Sequence, residues 1–170
     1  PHYSHFGLSI LNLMELFGLM SKFDKHILNC YYFCNKLHYS NKHKFIKKIV
    51  YKYYSFILKY LFGSFIPYKA KLGINIKFRH SFHGIFISQH AIIGDNCEIL
   101  HQVTIGSNAK SDYILAPKIG NNVFIGVNAL IIGNTVIEDN CKIGAGVIIT
   151  NKHIKKNSTV YSDNITIKTI

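Results

Sequence analysis

Ile119-Gly120-Asn121-Asn122-Val123-Phe124-Ile125-Gly126-Val127-Asn128-Ala129-Leu130-Ile131 sets isoleucine at every sixth position, and that spacing decides the fold. Read outward, the same ruler passes through Ile87, Ile93, Ile99 and Ile105 upstream and Ile137, Ile143 and Ile149 downstream. Four residues after successive anchors stand small or β-branched residues: Ala91, Cys97, Val103, Ala109, Val123, Ala129, Thr135, Cys141 and Val147. A helix repeats near 3.6 and a strand at 2, so neither accounts for a period of six. Hexapeptide solenoids do: each repeat supplies one short strand and one turn, and three repeats close a triangular coil. Anchors stacked coil on coil build a core that no single repeat could bury alone. The expectation is a mainly β chain of about five coils.

The first 62 residues read differently. Ile46, Ile49, Val50, Tyr53, Phe56, Ile57, Tyr60 and Leu61 fall on one helical face, with Lys44, Lys47, Lys48, Lys52 and Lys59 largely elsewhere. Such a basic amphipathic helix could lie on an anionic membrane, or pack against the solenoid or a neighbouring subunit. The apolar run from Leu8 to Met20 is broken by Asn12 and Glu15 and is too short to span a bilayer, which points to a buried helix. No signal-peptide pattern is present. Gly63 and Pro67 mark the change of pattern, so residues 1–62 are expected to form a helical segment and residues 63–170 the solenoid domain.

The ruler fails twice. Between Ile105 and Ile119 the gap is fourteen residues, so a loop at about 107–117 must project outward if the coils are to stack. Between Phe78 and Ile85 no anchor stands in place, and the sequence reads Arg79-His80-Ser81-Phe82-His83-Gly84. Local departures from a consistent pattern tend to mark function.

Across 170 residues the net charge is +12, which favours an anionic partner such as a phosphate-bearing cofactor, an acidic glycan or a lipid surface; a merely solubilising lysine-rich surface is the plain alternative. Four cysteines without a framework spacing read as reduced thiols of a cytoplasmic protein. No phosphate-binding loop, dinucleotide fingerprint, Ser-His-Asp arrangement or nucleic-acid module appears.

The runs His80-Ser81-Phe82-His83-Gly84-Ile85-Phe86-Ile87, His101-Gln102-Val103-Thr104-Ile105-Gly106-Ser107-Asn108 and Ala116-Pro117-Lys118-Ile119-Gly120 resemble the serine acetyltransferase branch of the hexapeptide acyltransferases, most closely its relatives in polysaccharide gene clusters. The resemblance covers about residues 66–150. It implies a left-handed parallel β-helix, assembly as a homotrimer, and active sites between subunits with acetyl-CoA lying along the groove between coils. It places His80 on the catalytic histidine, with His83 as second candidate because one extra residue separates His80 from Gly84. The groove is then expected to involve Gly106, Pro117, Gly126, Asn128, Ala129, Gly144 and Ala145, with Lys152, Lys155 and Lys156 able to meet the nucleotide phosphates. The family's histidine-orienting aspartate falls at about Phe65, and its second histidine at Ala116; neither is retained, and no acid stands nearby in sequence.

The expected activity is transfer of acetyl from acetyl-CoA to a hydroxyl, with a sugar of a surface polysaccharide as acceptor and serine as the alternative. A histidine near working pH suits the base that such a transfer needs. His83 and His101 stand eighteen residues apart, one coil, which would stack them and raises a zinc-dependent, γ-carbonic-anhydrase-like reading. No third ligand follows in register, and no metal is expected.

Overall fold

A computed structural model describes residues 19–40, 43–110 and 113–162. Most of the Leu8–Met20 run lies outside the described residues. Helix α1 (Leu19–Ser40) and helix α2 (Lys44–Phe62) come first. The first coil carries β1 (Lys71–Leu72), β2 (Lys77–Phe78) and β3 (Phe86–Ile87); the second carries β4 (Ile92–Ile93), β5 (Glu98–Ile99) and β6 (Thr104–Gly106). A hairpin of β7 (Asn108–Lys110) and β8 (Tyr113–Leu115) follows. The third coil is β9 (Lys118–Ile119), β10 (Phe124–Ile125) and β11 (Leu130–Ile132), and the fourth is β12 (Val136–Ile137), β13 (Lys142–Ile143) and β14 (Ile148–Thr150). A fifth coil, with β15 (His153–Ile154) and β16 (Thr159–Val160), closes the described chain.

Three parallel sheets make the faces of a prism. Face A runs β1-β4-β9-β12-β15, face B runs β2-β5-β10-β13-β16, and face C runs β3-β6-β11-β14. The anchors align: Ile93 pairs with Ile119, Ile99 with Ile125, and Ile105 with Ile131. From Ile93 to Ile149 every anchor is at most 4% exposed, so the period-six ruler is the core itself. Each such side chain contributes about 1.5–3 kcal/mol by leaving water. Thr135, the one hydroxyl in this column of small residues, is buried and donates to the Ile132 carbonyl at 2.6 Å.

Asparagine closes the corners. Asn75, Asn96, Asn122, Asn128, Asn140, Asn151 and Asn157 all take positive φ between 51° and 61°, a region asparagine tolerates better than most residues. On the edge between faces A and B their amides also join coil to coil, Asn75 to Asn96 at 2.9 Å and Asn122 to Asn140 at 3.2 Å.

Both breaks in the ruler have structural counterparts. Within the 107–117 segment β7 and β8 pair antiparallel, Ala109 opposite Ile114, so Ala109 sits on an excursion rather than in the stack. In the first coil, Phe82 fills the interior where an isoleucine is missing, fully buried between the rings of Phe78 (4.9 Å) and Phe62 (5.6 Å).

The helices cover the start of the prism. Tyr54 donates its hydroxyl to the Ile66 carbonyl and Tyr32 to the Gly73 carbonyl, each at 2.6 Å. The buried face of α2 is not the one its periodicity suggests. Tyr54, Ile57, Leu58 and Phe62 are buried, whereas Ile46, Ile49, Tyr53, Phe56, Tyr60 and Leu61 are exposed. The helix is apolar over two sectors, and the sector whose tyrosine hydroxyl reaches a solenoid carbonyl is the one that docks.

Candidate active site

His80 lies in the irregular turn 79–84, where the chain takes nine positions from the anchor Phe78 to the anchor Ile87 instead of six. The turn is strained: His80 (φ 61°) and Ser81 (φ 58°) are successive non-glycine residues with positive φ. Conformations of this kind cost about 1–3 kcal/mol each and persist only when the surroundings impose them. Several contacts do so here. Ser64 Oγ donates to the Phe82 carbonyl and accepts the Ile85 N–H at 2.8 Å. Gly84 N–H donates to the Phe62 carbonyl at 2.9 Å. Ser81 Oγ donates to Asp24 Oδ2 at 3.0 Å.

Asp24 corrects the expectation that no acid serves this turn. It reaches the turn from α1, on the stripe that buries Ile27, Tyr31 and Cys34. Burial pushes its carboxyl pKa up, while the Ser81 hydrogen bond and the nearby His83 pull it back down. Its other oxygen, Oδ1, is buried with no hydrogen-bond partner among the described residues. Sequence spacing could not find it, because the acid comes from 56 residues upstream of His80. The available signal was an aspartate extending an otherwise apolar helical stripe.

The two candidate histidines face different neighbours. The exposed His80 ring meets His101 of the next coil, with centroids 5.3 Å apart and planes at 89°. The partly buried His83 packs edge-on to Phe62 at 5.0 Å. The expected stacking of His83 under His101 holds for the backbone: the Gln102 N–H donates to the His83 carbonyl at 2.8 Å, as the Asn128 N–H donates to the His101 carbonyl in the next coil. The ring that meets His101, however, is that of His80. The extra residues of the turn let the His80 side chain reach the His101 ring, while the His83 ring turns to Phe62. His101 Nδ1 is buried without a partner among the described residues. No group of three or more His, Cys, Asp or Glu among the described residues could hold a metal ion.

The edge between faces B and C continues from these histidines. His101 O accepts the Asn128 N–H at 3.2 Å, and Val127 O accepts the Gly146 N–H at 2.8 Å. The corners at His83, His101, Val127–Asn128 and Ala145 thus form one stack, which the His80 ring joins through His101. Asn128 and Ala145 are exposed along it, and Gly144 is partly so. Gly126 and Ala129 lie inward. Ala129 is 1% exposed in the core, and a Cβ on Gly126 would meet the Ala145 nitrogen at 2.7 Å, so glycine there allows coil stacking. Gly106, Pro117 and Lys152 lie on the opposite edge, between faces C and A, together with the hairpin. Within one chain, face C separates the two groups.

That face is apolar outside as well as inside: Phe65, Phe86 and Ile148 are 51%, 48% and 70% exposed, in register with Thr104 and Leu130. A 510 Å³ cavity between α1 and face B reaches the His80 turn through Arg79 and presents Asp24, Asn29, Tyr32 and Lys77. A larger, apolar cavity of 660 Å³ lies between α2 and the first coil, lined in part by Leu58, Phe65 and Phe86, and touches neither candidate histidine.

Residues 116–151 match the family described as bacterial transferase hexapeptide (six repeats). The chain is 37% identical over 95 residues to the serine acetyltransferase of Synechococcus elongatus, covering 56% of this chain and 38% of that protein. It is 31% identical over 117 residues to WcaB of Escherichia coli K12, named for an acetyltransferase role in colanic acid biosynthesis, covering 69% and 70%. The crystal structure of Neisseria gonorrhoeae serine acetyltransferase aligns with a TM-score of 0.67 at 31% identity, over 81% of this chain and 51% of that one. A serine acetyltransferase in complex with CoA aligns at 0.64 and 28% identity, over 79% and 52%. The chain thus spans about half the length, or less, of these serine acetyltransferases. A left-handed prism of six-residue repeats, held in common with relatives along most of its coils, makes this chain a member of the hexapeptide-repeat transferase family.

Proposed function

We propose that this protein is an acetyl-CoA-dependent O-acetyltransferase, with His80 as general base. The observation that carries the reading is the single edge on which His101, Asn128 and Ala145 succeed one another coil by coil, with the His80 ring against His101. It offers an imidazole at one end and corners of low relief at the other, where an extended pantetheine arm can lie close to backbone. In the proposed reaction His80 takes the proton of an acceptor hydroxyl, and the oxygen attacks the thioester carbonyl. The tetrahedral adduct collapses, the C–S bond breaks, and the imidazolium returns its proton to the departing CoA thiolate. His101, edge-on to His80, holds the ring in place, and Asp24 holds the turn through Ser81.

The site is completed, in this reading, by a homotrimer. The apolar outer surface of face C lies between the histidine edge and the edge bearing Gly106, Pro117 and Lys152. Seating a neighbour there brings one protomer's histidine edge towards the other edge of the next. The setting is the cytoplasm, where acetyl-CoA is made; the four cysteines are free thiols, three of them buried.

The acceptor we favour is a sugar hydroxyl of a surface polysaccharide or its precursor. The similarity to WcaB over 70% of its length supports this. So do the absence of a histidine at Ala116 and the cavity beside the His80 turn, to which Asp24, Asn29, Tyr32, Lys77 and Arg79 bring polar groups alongside the apolar Leu28, Ile76 and Phe78. Serine is the second reading, supported by the serine acetyltransferases among the relatives. Thiol release from acetyl-CoA, with serine in one arm and nucleotide sugars or oligosaccharide in the other, separates them. Release with serine alone would replace the favoured acceptor, and release with no acceptor of either class would overturn the transferase reading.

A further inference from the structure

We infer that α2 seats the protein on an anionic lipid bilayer, lying in the plane of the interface. The helix docks on the solenoid through Tyr54, Ile57, Leu58 and Phe62 and turns a second apolar row outward. Phe45, Ile49, Phe56 and Tyr60, at helical spacing along one line, are 75%, 53%, 61% and 64% exposed. Lys48, Lys52 and Lys59 are exposed and form a parallel row beside them. An apolar row flanked by lysines along a helix is the pattern that binds at the headgroup–acyl boundary.

Charge selects the occupant. The nineteen residues of α2 contain no aspartate or glutamate. A second copy would set one lysine row against another with no carboxylate on either helix to answer it, on chains that each carry a net charge of +12. Anionic headgroups answer the lysines while the acyl region takes the aromatic side chains. No helix among the described residues is long and apolar enough to cross a membrane, so this contact is peripheral. Because the Phe62 carbonyl at the end of α2 accepts the Gly84 N–H, a seated helix holds the His80 turn near the headgroups. The inference stands independently of acetyl transfer.

The test is sedimentation of the full chain with vesicles of phosphatidylcholine alone and of equimolar phosphatidylcholine and phosphatidylglycerol. The protein is expected to pellet with the second kind only, and less so as salt is raised. The triple variant Lys48→Gln, Lys52→Gln, Lys59→Gln should lower partition roughly 10²-fold. Ile49→Ser with Phe56→Ser should lower it at least about 10-fold. All five side chains are at or near the surface, and an unchanged far-ultraviolet circular dichroism spectrum and thermal midpoint will establish that the variants are folded. A protein that stays in the supernatant with both kinds of vesicle overturns the inference, whether a second copy or another segment of the chain covers the row. Variants that pellet as well as the parent overturn it equally.

Discussion

Removing the Asp24 carboxylate gives the sharpest test of how the His80 turn is held. In Asp24→Ala, Ser81 Oγ loses its acceptor at 3.0 Å while Ser81 stays 6% exposed. A hydrogen bond to a charged group contributes about 1.5–3 kcal/mol, and a buried hydroxyl left unpaired costs about 1–3 kcal/mol. Asp24 is only about half buried, so the lower part of that range applies, and a loss near 1.5 kcal/mol is expected. That corresponds to roughly a tenfold fall in the population of the intact turn, and in turnover if His80 must be held there. Asp24→Asn behaves differently because its carbonyl oxygen still accepts from Ser81 and no charge is buried; its stability should match or exceed the parent near neutral pH.

The pH dependence has a definite sign. The folded-state pKa of Asp24 is raised above 3.8, so between the two values the folded state holds more protons than the unfolded chain. The parent therefore loses stability as pH rises from the unfolded value through the raised folded value. The Asn variant lacks this slope, and its advantage should grow from acid to neutral pH. Urea denaturation across pH at fixed protein concentration, with thiol release as the activity readout, measures both effects. An Ala variant as stable and as active as the parent, or an Asn variant weaker than Ala at neutral pH, would refute the reasoning.

Other outcomes are specific as well. His80→Ala should reduce acetyl transfer by at least ~10²-fold with an unchanged circular dichroism spectrum, whereas His83→Ala should act mainly through the lost Phe62 contact. Ile125→Ala, at a fully buried anchor, should cost about 2–5 kcal/mol in a denaturant titration. If the proposed trimer seats a neighbour on face C, Phe86→Asp with Ile148→Asp, on its exposed side, should leave the protein monomeric by light scattering and abolish transfer. Gly126→Val should destabilise by about 1–3 kcal/mol, because its Cβ would lie 2.7 Å from the Ala145 nitrogen.

The prism was legible in the sequence because its core is periodic along the chain. Ile93, Ile99 and Ile105 name their own neighbours, since a fixed coil length puts each beneath the anchor of the coil that follows. Where the period broke, spacing lost its power. Which ring meets His101 depended on how three extra residues fold between Phe78 and Ile87: the backbone of His83 lies in register with His101, but the ring that reaches it is that of His80. Asp24 was invisible because helix docking, not spacing, brings it to Ser81. The buried face of α2 misled for a further reason. Two apolar sectors compete on that helix, and the choice between them rests on tertiary hydrogen bonds such as Tyr54 to Ile66, which a helical wheel does not contain.

The equal rise of stacked strands gives the histidine edge a built-in scale. Adjacent parallel strands lie ~4.8 Å apart, so the rung holding His80 and the rung holding Ala145, three steps along, are separated by ~14 Å. A reach of that kind changes only in whole steps. Excising one complete eighteen-residue turn such as Ile125–Lys142 would keep every remaining strand in register while shortening the span by ~5 Å. In such an architecture the distance between a reacting group and a distant foothold evolves by counting, not by bending.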